Sequence, residues 1–329
     1  MNDFTKAQSM IELFNSYIPT RVIYVAAKLG LADHIGDDGA LAQDLAAELN
    51  VHPDALYRLM RVLAGLGILR QHDHDRFFVT PFGDTLRKDS PQSVRDYAIY
   101  SHESTYERVG KMLDSIRTGE PAVENYFAGL RAEPEEQAKF FAGSGNKSRV
   151  ETGAIIAAYD FSRCGRIVDV GGGNGSFLSR VLNAWEQVYG VLFDQSAAIE
   201  AAKAGRGGPL PRCEFVSGNF FDAVPSGGDT YILKRILDDW SDEKVLQIIR
   251  NCHGAMHSDC RLLIIEPLMG PPNQLCPGHL ADMNFLVTFR GGRIRTEKEH
   301  GDLLKKAGFA LTRIVPTQSE VSVIEAVPA

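Results

Sequence analysis

The stretch Arg166-Ile-Val-Asp-Val-Gly-Gly-Gly-Asn-Gly-Ser-Phe-Leu178 decides the fold. A β-branched run carries an acid, Asp169, near its end. Gly171, Gly172, Gly173 and Gly175 follow almost without interruption, and an apolar helical pattern starts at Ser176. That order predicts a buried strand, a tight turn and a helix. Glycine lets the backbone take positive φ and lets a ligand lie directly on it. The free N–H groups of the helix start then point at that ligand.

The spacing of Gly171, Gly173 and Gly175 is G-x-G-x-G. The dinucleotide fingerprint needs another glycine where Ser176 stands, and a phosphate loop needs a lysine that this turn lacks. Asp169 would repel a pyrophosphate but can pair with a cation. S-adenosylmethionine carries an ammonium and a sulfonium, so it fits better than NAD. Asp194 ends the next apolar run, Tyr189–Phe193, where an acid can accept both ribose hydroxyls. The run Phe215–Asp222 brings Gly218, Asn219 and Phe220 to a third strand end, a set suited to an adenine. A glycine turn alone can be only a turn; the two acids at strand ends in one βαβ pattern argue for a cofactor.

At these residues the chain resembles the class I methyltransferases of the small-molecule O-methyltransferase type. That group includes plant caffeate and flavonoid O-methyltransferases, acetylserotonin O-methyltransferase and many bacterial secondary-metabolism enzymes. The resemblance runs through Val168–Gly175, Leu237-Asp-Asp-Trp-Ser-Asp-Glu243, Asn251-Cys252, Gly291-Gly-Arg-Ile-Arg-Thr296, and the ending Gly308-Phe309 with Val321–Val327. It implies a doubly wound Rossmann-like sheet behind an N-terminal α-helical winged-helix dimerisation domain. It also implies S-adenosylmethionine as cofactor, S-adenosylhomocysteine as product, a small-molecule acceptor and a homodimer.

At 329 residues the chain exceeds one ordinary domain. No apolar run reaches membrane-spanning length, and no signal peptide opens the chain. The cysteines are 164, 213, 252, 260 and 276, odd in number and without a C-x-x-C pair, which points to a reduced cytoplasm. Net charge of −7 argues against a nucleic-acid partner. Cys252, His253, His257 and Cys260 tempt a zinc reading. Adjacent Cys and His point in different directions on a helix, so no metal site is expected.

Residues 1–110 read as the dimerisation domain, 111–160 as a helical linker or lid contributing to the acceptor pocket, and 161–329 as the cofactor-binding domain. Helices Leu41–Glu48 and Pro53–Gly67, then strands at Ile68–Arg70 and Phe77–Val79 around the turn Gln71–Arg76, form a winged helix-turn-helix pattern. A DNA-binding regulator is the rival reading. The first hundred residues hold 10 basic and 13 acidic groups, against the basic face such a role needs. Further strands are expected at 166–170, 188–193, 213–216, 229–234, 261–266, 310–315 and 321–327, placing Asp169, Asp194, Lys234 and Glu266 at carboxyl ends.

Methyl transfer is an in-line displacement, mostly a task of proximity and orientation. A phenol acceptor also benefits from a general base poised near neutrality. In the family that base is a histidine held by two glutamates. The matching histidine position is Asp238; one glutamate matches Glu266, and the other position is Ile294. The two changes agree with each other, so an altered mechanism is expected, without the usual base. Asp238, Glu266 and His102 are the candidate catalytic residues. Lys234, Asp239 and Trp240 join the candidate cofactor residues, with packing as the plain alternative for Trp240 and strand capping for Lys234. If Glu266 does not touch the acceptor, it is expected to pair with Arg290 or Arg293. Ser241 reads as the N-cap of helix 242–256. Tyr106, Asp282, Phe285 and Phe289 are candidate acceptor residues, the last three sharing a helix face by spacing. The missing histidine favours a nitrogen, carbon or already acidic oxygen nucleophile. It also motivates a second reading, a family member that binds the cofactor without transferring its methyl group.

Overall fold

The computed structural model describes the chain apart from residues 1, 2, 74, 206, 207 and 209. It divides into two compact units, Met1–Glu107 with Pro134–Lys147, and Arg108–Glu133 with Ser148–Ala329. No helix among the described residues is long and apolar enough to cross a membrane.

In the first unit, helices Ala42–Glu48 and Pro53–Gly65 pack beside a small antiparallel sheet. Pro53 opens its helix where a missing N–H costs nothing. Leu56, Met60 and Leu63 then bury one face against Leu31, Ile35, Leu45 and Phe77. The sheet holds β1 (Ala40–Leu41), β2 (Leu69–His72) and β3 (Arg76–Val79) in the order β1-β3-β2. Strand β1 is too short to show a period and was not legible. The β2 and β3 strands run further into the expected turn, to His72 and from Arg76; His74, within it, lies outside the described residues.

In the second unit the strands are β4 (Arg166–Val170), β5 (Tyr189–Asp194), β6 (Cys213–Ser217), β7 (Thr230–Lys234), β8 (Arg261–Pro267), β9 (Phe309–Pro316) and β10 (Val321–Pro328). Each lies within one residue of its expected bounds. Their order is β6-β5-β4-β7-β8-β10-β9. Strands β4 to β8 are parallel, whereas β10 runs antiparallel between β8 and β9. A parallel sheet buried on both faces needs continuously apolar strands, and Ile167, Val168, Val170, Tyr231, Ile232 and Leu233 supply them. Helix Ser176–Ala184 covers one face through Phe177, Leu178, Val181 and Leu182; Val245, Ile248, Ile249 and Cys252 of helix Asp242–Ala255 cover the other. Each such side chain contributes roughly 1.5–3 kcal/mol by leaving water. The winding reverses between β4 and β7, and at such a switch point a crevice opens at the carboxyl ends.

Cys252 and Cys260 serve this core. Cys252 is buried in it, and the Cys260 thiol donates to the Gly228 carbonyl at 3.2 Å. The His253 ring meets Phe309 edge-on.

Candidate functional site

At the switch point the glycine turn is fastened from β5. Gly171 N–H donates to the Phe193 carbonyl at 2.8 Å, and Gly173 N–H to Asp194 Oδ2 at 2.8 Å. The other Asp194 oxygen accepts the Gln195 N–H at 2.6 Å. Gly171, Gly173 and Gly175 all have positive φ. Gly172, which the G-x-G-x-G spacing passes over, is the most tightly packed of the four. A Cβ there would lie 2.5 Å from both Asp169 Oδ2 and Leu192 Cδ1. At Gly173 a Cβ would meet nothing within 4 Å, so the turn has an open side.

Asp169 is 1% exposed, and its Oδ2 has no hydrogen-bond partner. Burial pushes its carboxyl up to about 7, opposed by the Lys234 ammonium and helped by Asp194. Asp194 is also raised, by burial, against the two N–H groups it accepts. Lys234 Nζ bonds Ser148 Oγ at 3.2 Å and Glu151 Oε2 at 3.1 Å. A Cβ on Gly218 would strike the Phe193 ring. Asn219 folds its loop, accepting the Phe221 N–H and donating to Asp222. Phe220 approaches Gly171, and Trp240 packs edge-on against Phe221 at 4.8 Å with Lys244 over its ring.

The second group lies just past β7. Arg235 adopts φ 57° and leads into the turn Leu237–Asp239. Its guanidinium binds Glu151 at 2.5 Å, Asp238 Oδ2 at 3.5 Å and Glu320. Glu266 Oε1 accepts the N–H groups of Leu237 at 2.6 Å and Asp238 at 3.2 Å. Burial and the Asp238 charge push Glu266 up to about 8, against Arg295 and those two N–H groups. His300 Nε2 stands 3.9 Å from Glu266 Oε2, and burial with Arg295 nearby pushes the imidazole down to about 4. Asp239, half-buried, is raised by burial and by Asp238 and Glu266, against Arg235.

Two of the sequence motifs prove to be one structure. The fully buried Arg295 donates to the carbonyls of Leu237 and Trp240 and to Asp242 Oδ1. Arg293 N–H donates to the Asp238 carbonyl. A Cβ on Gly292 would lie 2.9 Å from that same oxygen, and Gly291 takes a positive φ of 77°, so each glycine of the pair has its own cause. Arg290 pairs with Glu120, and Arg293 with Glu299, so neither is the partner expected for Glu266. Ser241 stands at the N-cap position of its helix, but its side chain makes no capping bond.

Among the candidate acceptor residues, Asp282 Oδ1 accepts the Ile294 N–H at 2.8 Å. Phe285 and Phe289 have ring centroids 5.2 Å apart. Phe289 falls one residue past helix Pro277–Thr288, in extended backbone, so the expected shared helix face holds only for Asp282 and Phe285. Tyr126 and Phe127 complete an aromatic cluster around Phe289, with Arg108 over the Tyr126 ring. Asn284 Oδ1 and Thr288 Oγ1, one helical turn apart, are buried without partners.

His102 and Tyr106 belong to the first unit. His102 lies in a π-helical stretch, Ser101–Thr105, stacked between Tyr24 and Tyr106 at 5.4 and 5.6 Å. Burial lowers its pKa, and its Nε2 has no partner.

Residues 117–310 match the model of an O-methyltransferase domain, and residues 11–89 that of an O-methyltransferase dimerisation domain. The chain is 35% identical to a phenazine O-methyltransferase of Lysobacter antibioticus, over 97% of this chain and 95% of the relative. It is 33% identical to the 8-amino-8-demethylriboflavin N,N-dimethyltransferase of Streptomyces davaonensis, over 92% and 90%. A methyltransferase of calicheamicin biosynthesis, solved in its S-adenosylhomocysteine-bound form, superposes with a TM-score of 0.90 at 29% identity, covering both chains completely. The matched domains cover most of the sheet and the helix pair before it, and the chain belongs to the O-methyltransferase family.

Proposed function

We propose that this chain transfers the methyl group of S-adenosylmethionine to a small aromatic or heteroaromatic acceptor of secondary metabolism. The observation that carries the reading is Asp169. A buried carboxylate with an unpartnered oxygen, under a glycine turn at the switch point, is suited to a cationic ligand. Asp169 would hold the ammonium end, Asp194 the ribose, and the Gly218–Phe220 segment the adenine. Lys234 and Asp239 would tune the charge around them, and Trp240 would wall the adenine side. The bound sulfonium supplies an electrophilic methyl carbon. The chain's own task is then to orient a nucleophile and keep water out.

The aromatic cluster of Tyr126, Phe127, Phe285 and Phe289 supports a planar acceptor, and Asn284 and Thr288 offer hydrogen-bonding groups on the same segment. Asp238 in its ion pair with Arg235 supports orientation of the acceptor rather than free general-base work. Glu266, engaged with two backbone N–H groups, supports holding the Leu237–Asp239 turn. The stacked position of His102 supports a packing role in its unit. An amine or an acidic oxygen nucleophile fits such a site, since neither needs a strong base.

The test is methyl-labelled cofactor with a panel of phenols, aryl amines and heteroaryl carboxylates. Label in the product supports methyl transfer and locates it on O, N or C. Product formed with the cofactor unchanged supports the second reading, non-methylating chemistry, which Asp238 and Ile294 motivate.

Residues 1–110, within which 11–89 match the dimerisation domain, would supply the expected pairing surface as a winged-helix module. Met10, Ile11, Leu13, Phe14 and Tyr17 of its first helices are all more than half exposed, an apolar face suited to a second copy. Light scattering should give twice 36.2 kDa. The five free cysteines fit a cytoplasmic chain.

A further inference from the structure

Glu151 lies in the second half of helix Pro134–Ala158, outside the stretches that carry the family resemblance. It is 3% exposed. A carboxylate so buried needs cations, and Glu151 meets two consecutive ones at the end of β7. Its Oε2 accepts from Lys234 Nζ at 3.1 Å, and its Oε1 from the Arg235 guanidinium at 2.5 Å. Ser148 Oγ, one helical turn earlier, accepts a second bond from Lys234 at 3.2 Å.

This arrangement decides where Lys234 spends its charge. The titratable groups that interact with Asp169 are Lys234 of β7, Asp194 of β5 and Cys213 of β6, and only Lys234 is a cation. Yet the hydrogen bonds of Lys234 go to Ser148 and Glu151, and Asp169 Oδ2 is left without a partner. Arg235 secures Glu151 from the other side. It is itself gripped by Glu320 and by Asp238 Oδ2 at 3.5 Å, so the Glu151 carboxylate is fixed between two anchored cations.

We propose that Glu151 is a positioning residue for the cofactor: by holding Lys234 it keeps that ammonium off Asp169 and leaves the Asp169 carboxylate open to the ammonium of S-adenosylmethionine. The inference rests on the proposed place of Asp169 beneath that ligand. Without the Glu151 charge, Lys234 competes with the ligand for one carboxylate. Glu151 itself touches no reacting atom and acts only through Lys234.

The probe is S-adenosylhomocysteine, which keeps the ammonium, titrated by calorimetry into the full-length protein across the pH range around neutrality. In the parent the affinity should rise with a midpoint of about 7 as Asp169 ionises. Glu151→Gln keeps the shape of the side chain and removes its charge. It should bind about ten-fold more weakly at about pH 8 and move the midpoint down by about one pH unit, since Lys234 then stabilises the Asp169 charge. A merely structural Glu151 would lower the affinity by the same factor at every pH and leave the midpoint in place. Glu151→Gln with Lys234→Met has no competing ammonium, so its midpoint should return to the parent's or rise above it. This double variant removes one charge of each sign and decides the matter if the single variant does not fold. A midpoint that stays low in the double variant, or that Glu151→Gln leaves unmoved, overturns this inference alone. A parent without any pH dependence overturns the reading of Asp169, and this inference with it.

Discussion

Asp169→Asn separates charge from shape at the floor of the glycine turn. In the free protein Asp169 holds its proton up to about pH 7 because its burial outweighs the opposing Lys234 charge. A cationic ligand needs the ionised form, so binding must displace that proton at lower pH. With a midpoint near 7, the ionised fraction rises from about a tenth at pH 6 to about three quarters at pH 7.5. The affinity for S-adenosylmethionine should therefore rise about eight-fold over that interval, with proton uptake by the buffer visible in calorimetry. Asn keeps the volume but not the charge. It should bind about 10- to 100-fold more weakly at pH 7.5, the difference between a charge-assisted and a neutral hydrogen bond, and should show no such pH dependence. Stability moves the other way. The folded chain keeps the Asp169 proton where the unfolded chain has lost it, so stability falls as pH rises from about 4 to about 7, by at most about 4 kcal/mol. Asp169→Asn removes that slope and should melt higher than the parent near pH 8. A flat affinity profile in the parent, together with Asn binding within two-fold at about pH 7.5, would refute the reasoning.

Gly172→Ala forces a methyl to 2.5 Å from Asp169 Oδ2 and Leu192 Cδ1, and overpacking of this kind costs about 1–3 kcal/mol; denaturant melts should record it. Glu266→Gln keeps an acceptor for the Leu237 and Asp238 N–H groups, so it should fold well and lose the parent's decline in stability between about pH 4.5 and pH 8. Glu266→Ala leaves those donors buried and unpaired, and should lose about 1–3 kcal/mol for each in the same melts. Arg295→Met strips the bridge between Leu237–Asp242 and the Gly291–Thr296 segment; it should lower stability by about 1–3 kcal/mol for each carbonyl left without its donor, while the half-exposed Asp242 is taken up by water.

The parts that were legible in the sequence are those whose cause is local. Strand β4, its glycine turn and the acids at the ends of β4 and β5 follow from period and residue type over a few positions. What escaped depends on segments far apart in the chain. Gly172 looks like the spare glycine of the turn until the Leu192 side chain and the Asp169 carboxylate are seen to close on it. The grip of Arg235 on Glu151 and Glu320 draws on two distant segments; only Asp238, three residues on, is local. Asp282 reads as a pocket acid by spacing, yet one of its oxygens accepts the Ile294 N–H, a bond that no helical wheel discloses. The reversal of β10 between β8 and β9 also leaves no mark on an apolar strand pattern.

Asp238 makes physical sense once Arg235 is considered. The resemblance puts a histidine at 238 with a glutamate at 294, a pair in which an imidazolium is stabilised by negative charge. Here the polarity is inverted. The charge at 238 is negative, its cation is Arg235 from the adjacent strand end, and the apolar Ile294 is buried with only its N–H bonded. A glutamate at 294, on the segment whose neighbours Arg293 and Arg295 bond the Leu237–Trp240 backbone, would add a carboxylate to a group where Asp238, Asp239 and Glu266 already act on one another. The two replacements are therefore coupled, and reverting them should be too. Asp238→His alone leaves the ring without a carboxylate at 294, and Ile294→Glu alone buries an unpaired acid. The double variant should gain activity on a simple phenol beyond the product of the two single effects, a coupling of about 0.5–3 kcal/mol in kcat/KM. If the two effects merely multiply, positions 238 and 294 do not act on one nucleophile. The family's histidine chemistry would then not be recoverable from this scaffold.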